Sequence, residues 1–114
     1  MNRLELRKEL LELKCPVGIT QSIIGGKWKL VIIWQLRSGV KRFNELLRAL
    51  PDIRQSYLTQ QLRELERDGL VHREVYREVP PKVEYSLTDI GVKFLDVMSK
   101  MCEWGKEYME VLKK

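Results

Sequence analysis

The chain has 114 residues, 44% hydrophobic and 32% charged, with a formal net charge of +5 and a pI of about 9.3. Such a balance excludes a disordered polyelectrolyte and fits a soluble chain with a modest core. No apolar run approaches the roughly 20 residues of a membrane span, and two cysteines with one histidine exclude a disulfide framework or a four-thiolate metal site. The N-terminus carries no apolar signal core, so the expected compartment is the cytoplasm, with free thiols and neither metal nor cofactor.

In chain order, Leu4 to Leu13 reads as a short helix with Leu6, Leu10 and Leu13 on one face, ended at Cys15-Pro16 because the residue before proline avoids helical geometry. Ile19 to Gly25 reads as a second short helix capped by Thr20 and broken by Gly25-Gly26. Lys27 to Arg37 is a strongly apolar helix stopped by Ser38-Gly39, and Val40-Lys41-Arg42 is a short extended piece. Phe43 to Leu50 is a helix, and Pro51-Asp52 its stop. The next helix opens near Arg54 and closes at Asp68-Gly69, where glycine suits the left-handed residue of a helix end. It places Leu58, Leu62 and Leu65 on one face and Tyr57, Thr59, Gln60, Arg63 and Arg67 on the other.

From Val71 the chain alternates like a half-buried strand. Val79-Pro80-Pro81-Lys82 forms a turn, and Val83 to Leu87 pairs back as a hairpin. Thr88-Asp89 caps a final helix that runs to about Leu112, with Ile90, Phe94, Val97, Met101, Trp104, Tyr108 and Leu112 in one stripe. Two helices at a tight turn followed by a two-stranded wing make a winged helix-turn-helix: mainly α with a small β-hairpin wing (α+β), extended by N- and C-terminal helices. Ile53 is placed to plug the gap between the two motif helices.

Charge follows this organisation. From Lys27 to Lys82 there are 12 basic and 7 acidic residues, whereas from Asp89 to the end 5 of each cancel. A basic centre with a neutral tail points to a polyanion for the centre and a separate task for the tail. The outward face of the helix after Arg54 has no carboxylate in its first two turns, as suits a helix entering a DNA groove.

Six separated blocks carry a resemblance: Ile24-Gly25-Gly26-Lys27-Trp28, Lys41 to Leu46, Leu58 to Glu66, Gly69-Leu70-Val71, Pro80 to Thr88, and Cys102-Glu103-Trp104. They occur in the order found in the HxlR-type transcription regulators of bacteria and archaea, which the chain resembles from about Cys15 to Gly105. The resemblance implies a dimeric winged-helix protein that binds an operator, with the second motif helix in the major groove, the wing on the backbone or minor groove, and terminal helices in the dimer. It divides the single domain 1–114 into an N-terminal dimerisation helix (1–14), a winged core (15–87) and a C-terminal dimerisation helix (88–114). One departure stands out. Arg54 occupies the place of the serine that caps the recognition helix in such proteins.

On this reading Arg54, Ser56, Tyr57, Thr59, Gln60 and Arg63 face the groove: glutamine can read adenine, arginine can read guanine, and the hydroxyls can reach a phosphate or a thymine methyl. Lys41, Arg42, Arg73, Arg77 and Lys82 supply backbone contacts, with Lys82 at the wing tip. The bland reading of Arg73 and Arg77 pairs them with Glu74 or Glu78. Gln61 is expected to face its own domain or the flanking helix, and Glu64 to face outward, either beyond the groove or paired with Arg67 or Lys41. Trp28, Trp34 and Trp104 read as core, and His72 as a surface residue beside Glu74. Leu6, Leu10, Leu13, Met98, Met101, Trp104 and Tyr108 form the expected dimer interface. Cys102 falls within the same apolar helix.

Cys15 has two readings. One is a small apolar residue at a helix junction. In the other, which the resemblance implies because several such regulators carry a cysteine at this position and some use it this way, it senses an oxidant or a small-molecule electrophile, with Lys14 favouring the thiolate. No phosphate loop, nucleophile elbow or carboxylate pair in an apolar setting is present, so the chain does not read as an enzyme. The partners expected are double-stranded DNA and a second copy of the chain, probed by oxidants, and no membrane. The rival function is a winged helix that docks an acidic protein through its basic face, with RNA binding a further option. The polar outer face of the second motif helix separates DNA binding from the protein-docking alternative.

Overall fold

The computed structural model describes residues 2–114; position 1 of the expected segment 1–14 lies outside them. The elements are α1 (Arg3–Glu12), α2 (Pro16–Ile24), α3 (Lys29–Gln35) with a 3-10 turn (Leu36–Ser38), β1 (Lys41–Arg42), α4 (Phe43–Ala49), α5 (Gln55–Arg67), β2 (Val71–Tyr76), β3 (Lys82–Leu87) and α6 (Asp89–Leu112). The strands form one antiparallel sheet in the order β1-β3-β2, with Lys41 opposite Tyr85 and Arg73 opposite Tyr85 from the other side. This is a winged helix-turn-helix with additional terminal helices.

The core collects the inward positions of α3, α4 and α5: Ile32, Ile33, Leu36, Leu46, Leu50, Leu58, Leu62 and Leu65, closed by Val71 and Tyr85 of the sheet. Each such side chain contributes about 1.5–3 kcal/mol by leaving water. Ile53 is buried in the turn between α4 and α5, where its N–H donates to the Leu50 carbonyl at 3.0 Å. Two helices end in the same hydrogen-bonded turn. At the end of α5, Gly69 (φ 83°) lets the Leu70 N–H reach the Leu65 carbonyl and its own N–H reach Glu66. At the end of α1 the left-handed position is held by Lys14 (φ 52°), with Cys15 N–H on the Leu10 carbonyl.

Several expectations need correction. The second helix starts at Pro16, three residues before the expected Ile19, and its cap is Cys15 in place of Thr20. Proline at the first helical position has no N–H to leave unpaired and a φ already suited to the helix, so Cys15-Pro16 opens a helix as well as closing the previous one. The alternation of β2 does not produce half-burial: Val71 is buried and the rest of the strand is exposed. β3 takes the centre of the sheet and β2 is an edge strand, paired on one side only. Nor are all three tryptophans core. Trp34 is exposed, turned away from Ile32 and Ile33, and Trp104 is 66% exposed; only Trp28 is half-buried against the core.

Candidate nucleic-acid interface

Helix α5 divides its residues sharply. Leu58, Gln61, Leu62 and Leu65 turn inward, while Arg54, Ser56, Tyr57, Gln60, Arg63 and Arg67 are exposed. Arg54 occupies the N-cap with extended backbone and makes no side-chain cap, so the first turn of α5 is left with unpaired N–H groups facing outward. Thr59 is half-buried, its hydroxyl donating to the Gln55 carbonyl at 3.0 Å.

The outward residues fall into two clefts. One, of about 410 Å³, lies at the start of α5 and is lined by Trp28, Asp52, Ile53, Arg54, Ser56, Tyr57 and Gln60. The other, of about 310 Å³, separates α5 from the wing and brings Thr59, Arg63 and Glu66 together with Arg73 and Tyr85. The structure thus joins Arg63 to Arg73 across a gap between helix and strand. Arg73 and Arg77 have no carboxylate at ion-pair distance among the described residues. Lys82 is the first residue of β3, not the tip of the turn. It is half-buried, with its ammonium 4.6 Å from the Tyr76 ring centre and 3.7 Å from Glu84. The same Glu84 carboxylate raises the pKa of the Tyr76 phenol. Lys41 lines a third groove with Gln35, Glu45 and Arg48, apart from both α5 clefts, and Arg42 is exposed beside it. Its backbone N–H donates to Glu45 at 3.0 Å, which secures the start of α4.

Glu64 does not face outward. It is held by Arg3 at 2.8 Å and Lys29 at 3.2 Å, with the Gln61 amide donating at 3.4 Å. Lys29 itself is buried, with its ammonium on Glu64. The Gln61 carbonyl oxygen has no partner among the described residues. Sequence reasoning missed Arg48, Glu66 and the cleft-lining role of Trp28, whose ring lies 5.0 Å from the Lys27 ammonium. Arg48 could have been found, since it follows Lys41 by seven residues on the outer side of a helix beginning at Phe43. His72 is exposed and its Nε2 lies 2.6 Å from Glu74, as expected for a surface residue. Among the described residues no group of three or more His, Cys, Asp or Glu side chains could hold a metal ion.

A helix–turn–helix followed by a wing, with a polar, cation-bearing outer face on the second helix, is a DNA-reading geometry. The HxlR-like helix-turn-helix family model matches residues 23–113.

The chain belongs to the HxlR-like helix-turn-helix family.

An uncharacterized HTH-type transcriptional regulator of Bacillus subtilis (strain 168), YdeP, is 54% identical over 100 residues, covering 88% of this chain and 78% of the relative. Among solved structures, the redox regulator HypR in its reduced form is 53% identical with a TM-score of 0.81, covering 86% of this chain and 97% of that one. The quinone-bound form of YodB from B. subtilis is 33% identical with a TM-score of 0.72, covering 82% and 99%. This HxlR-like chain is therefore a DNA-binding transcription regulator and not an enzyme. No helix among its described residues is long and apolar enough to cross a membrane.

The terminal helices of this family member carry much of the exposed apolar surface. Met101, Trp104 and Tyr108 are exposed on α6, with the Trp104 and Tyr108 rings stacked at 5.2 Å, while Met98 is half-buried. Leu30, Trp34, Met98, Met101 and Cys102 line an apolar groove of about 360 Å³ between α3 and α6, and Cys102 is exposed at that groove. On α1, Leu6 is exposed and Leu10 is half-buried, and Leu13, just past its end, is 75% exposed. Cys15 is half-buried at the junction of α1 and α2, where its Sγ accepts the Gly18 N–H at 3.4 Å.

Proposed function

We propose that the chain acts in the cytoplasm as a homodimeric repressor on an inverted-repeat operator, with α5 of each copy in a major groove. The observation that carries this reading is the outer face of α5, which exposes the polar Ser56, Tyr57, Gln60 and Arg63, with Arg63 lining the cleft shared with Arg73 of the wing. In it Gln60 and Arg63 read bases, while Arg54, Ser56, Tyr57 and Thr59 hold the adjoining phosphates and thymine methyls. Arg73 and Arg77 of the wing and Lys41 and Arg42 at the entry to α4 meet the backbone; Lys82, engaged with Tyr76 and Glu84, contributes less. The apolar positions of α1 and α6 pair the two copies, so that half-sites lie about 10 base pairs or a multiple apart.

Selection of bound fragments from the source genome, followed by footprinting, tests the reading directly. Gln60→Ala and Arg63→Ala are each expected to cost about 1–3 kcal/mol on the selected operator and little on mixed DNA. Wild-type affinity in both variants would show that α5 does not sit in the groove.

The effector is an oxidant or an electrophile acting at Cys15. Support comes from the relatives, one named a redox regulator and another captured with a quinone, and from the place of Cys15 as the cap that joins α1 to α2. Peroxide or a quinone is expected to change operator affinity in wild type and to leave Cys15→Ser unresponsive. An undiminished response in the variant rejects the assignment.

A further inference from the structure

Reading DNA does not account for the acid at the far end of α5. Glu64 and Asp68 stand one turn apart at the negative pole of the helix, where like charges repel and the helix dipole adds to the penalty. Both carboxylates are largely withdrawn from water. Their counter-charges arrive from the other end of the chain. Arg7 grips both Asp68 oxygens at 2.8 Å, and Arg3 spans the two acids, 2.7 Å from Asp68 and 2.8 Å from Glu64. Both arginines also donate to the Ser22 carbonyl of α2 at 3.3 Å, and Lys29 of α3 completes the set on Glu64.

We propose that Arg3 and Arg7 are positioning residues for DNA reading: α1 holds the last turn of α5 through this ladder, and operator affinity depends on it although neither arginine touches DNA. The proposal rests on the operator-binding reading given above. Helix α1 contributes no fully buried side chain, and Leu4, Leu11 and Leu13 point to solvent. Its grip on α5 is therefore made of charge, not of apolar packing. Bidentate arginine pairs fix direction as well as distance, so the ladder sets the angle at which α5 leaves the body. The family match begins at residue 23, after both arginines, so the ladder adds α1 to a motif that the rest of the family model defines. The two acids lie on the inner side and at the far end of α5, away from Ser56, Tyr57 and Gln60.

The test replaces Arg3→Gln with Arg7→Gln in the full chain. In DNA-free protein, amide hydrogen exchange across residues 62–68 is expected to rise, with the thermal transition still cooperative. Affinity for the selected operator is expected to fall about tenfold, while binding to mixed DNA and its salt slope stay unchanged. Arg3→Lys with Arg7→Lys, which keeps charge without the fork, should fall between wild type and the double glutamine variant in both readouts. Equal loss on operator and mixed DNA would make the arginines phosphate contacts and overturn the proposal. So would unchanged exchange, unchanged operator affinity, or a change of oligomeric state by sedimentation. If the wild type selects no DNA sequence at all, the operator-binding reading fails, and the exchange result still decides the ladder.

Discussion

Gly91 lies where the first turn of α6 presses on the backbone of Leu70, and a Cβ there would run into the Leu70 carbonyl. Thr88, three residues earlier, fastens the same point: its hydroxyl donates to the Gly69 carbonyl at 2.6 Å and accepts the Gly91 N–H at 3.2 Å, while its own N–H donates to Leu70 at 3.0 Å. The end of α5, the start of β2 and the start of α6 therefore share one knot of backbone. Gly91→Ala must push α6 away from Leu70, and a loss of about 1–3 kcal/mol in denaturant melts is expected. Thr88→Val keeps the shape and removes the cap, for a smaller loss of about 1 kcal/mol. A Gly91→Ala variant as stable as wild type would mean that α6 can slide without cost.

At the scale of elements, the attachment of α1 to α5 is sensitive to acid. Burial pushes the Asp68 carboxyl up, but hydrogen bonds from Arg7 and Arg3 outweigh it and the net direction is down from the ordinary value. Glu64, Lys29 and the Ser22 carbonyl face the same cluster. A carboxyl lowered in the folded state stabilises above its unfolded pKa and loses that contribution as pH falls through the folded one. The hold on α1 should then begin to weaken below about pH 4 and be lost only once Asp68 is protonated in the folded chain. Amide exchange in residues 3–12, compared at pH 3 and pH 7, measures this, and equal protection at both would contradict it. The inner stripe of α5 was legible in the sequence because Leu58, Leu62 and Leu65 repeat at helical spacing, and Gln61 fell on the same side. Glu64 was not, since its partner Arg3 is 61 residues away and no local pattern encodes that meeting. The same limit applies to β2, whose alternation is genuine yet whose burial depends on where the sheet ends.

For the whole molecule the telling quantity is its spread. A compact chain of this length has a radius of gyration of about 13 Å, whereas this one has 16.0 Å and extends 51 Å along its longest axis. Helix α6, 24 residues and so roughly 36 Å long, runs past the core, and beyond Met101 all but Gly105 is exposed. In the proposed dimer this overhang is where the partner packs. Met101→Glu with Trp104→Ala is expected to give monomers or aggregate by sedimentation and to abolish operator binding although the contact residues are intact. Wild type sedimenting as a monomer at micromolar concentration would remove the dimer from the account. The division of labour along α5 has a further consequence, for altering what the protein recognises. Ser56, Tyr57, Gln60 and Arg63 carry no core packing, and none of them forms an ion pair among the described residues. If these four positions read the operator as proposed, the chain can exchange one DNA address for another there without disturbing its core, whereas the inward Gln61, Glu64 and Asp68 leave no such room.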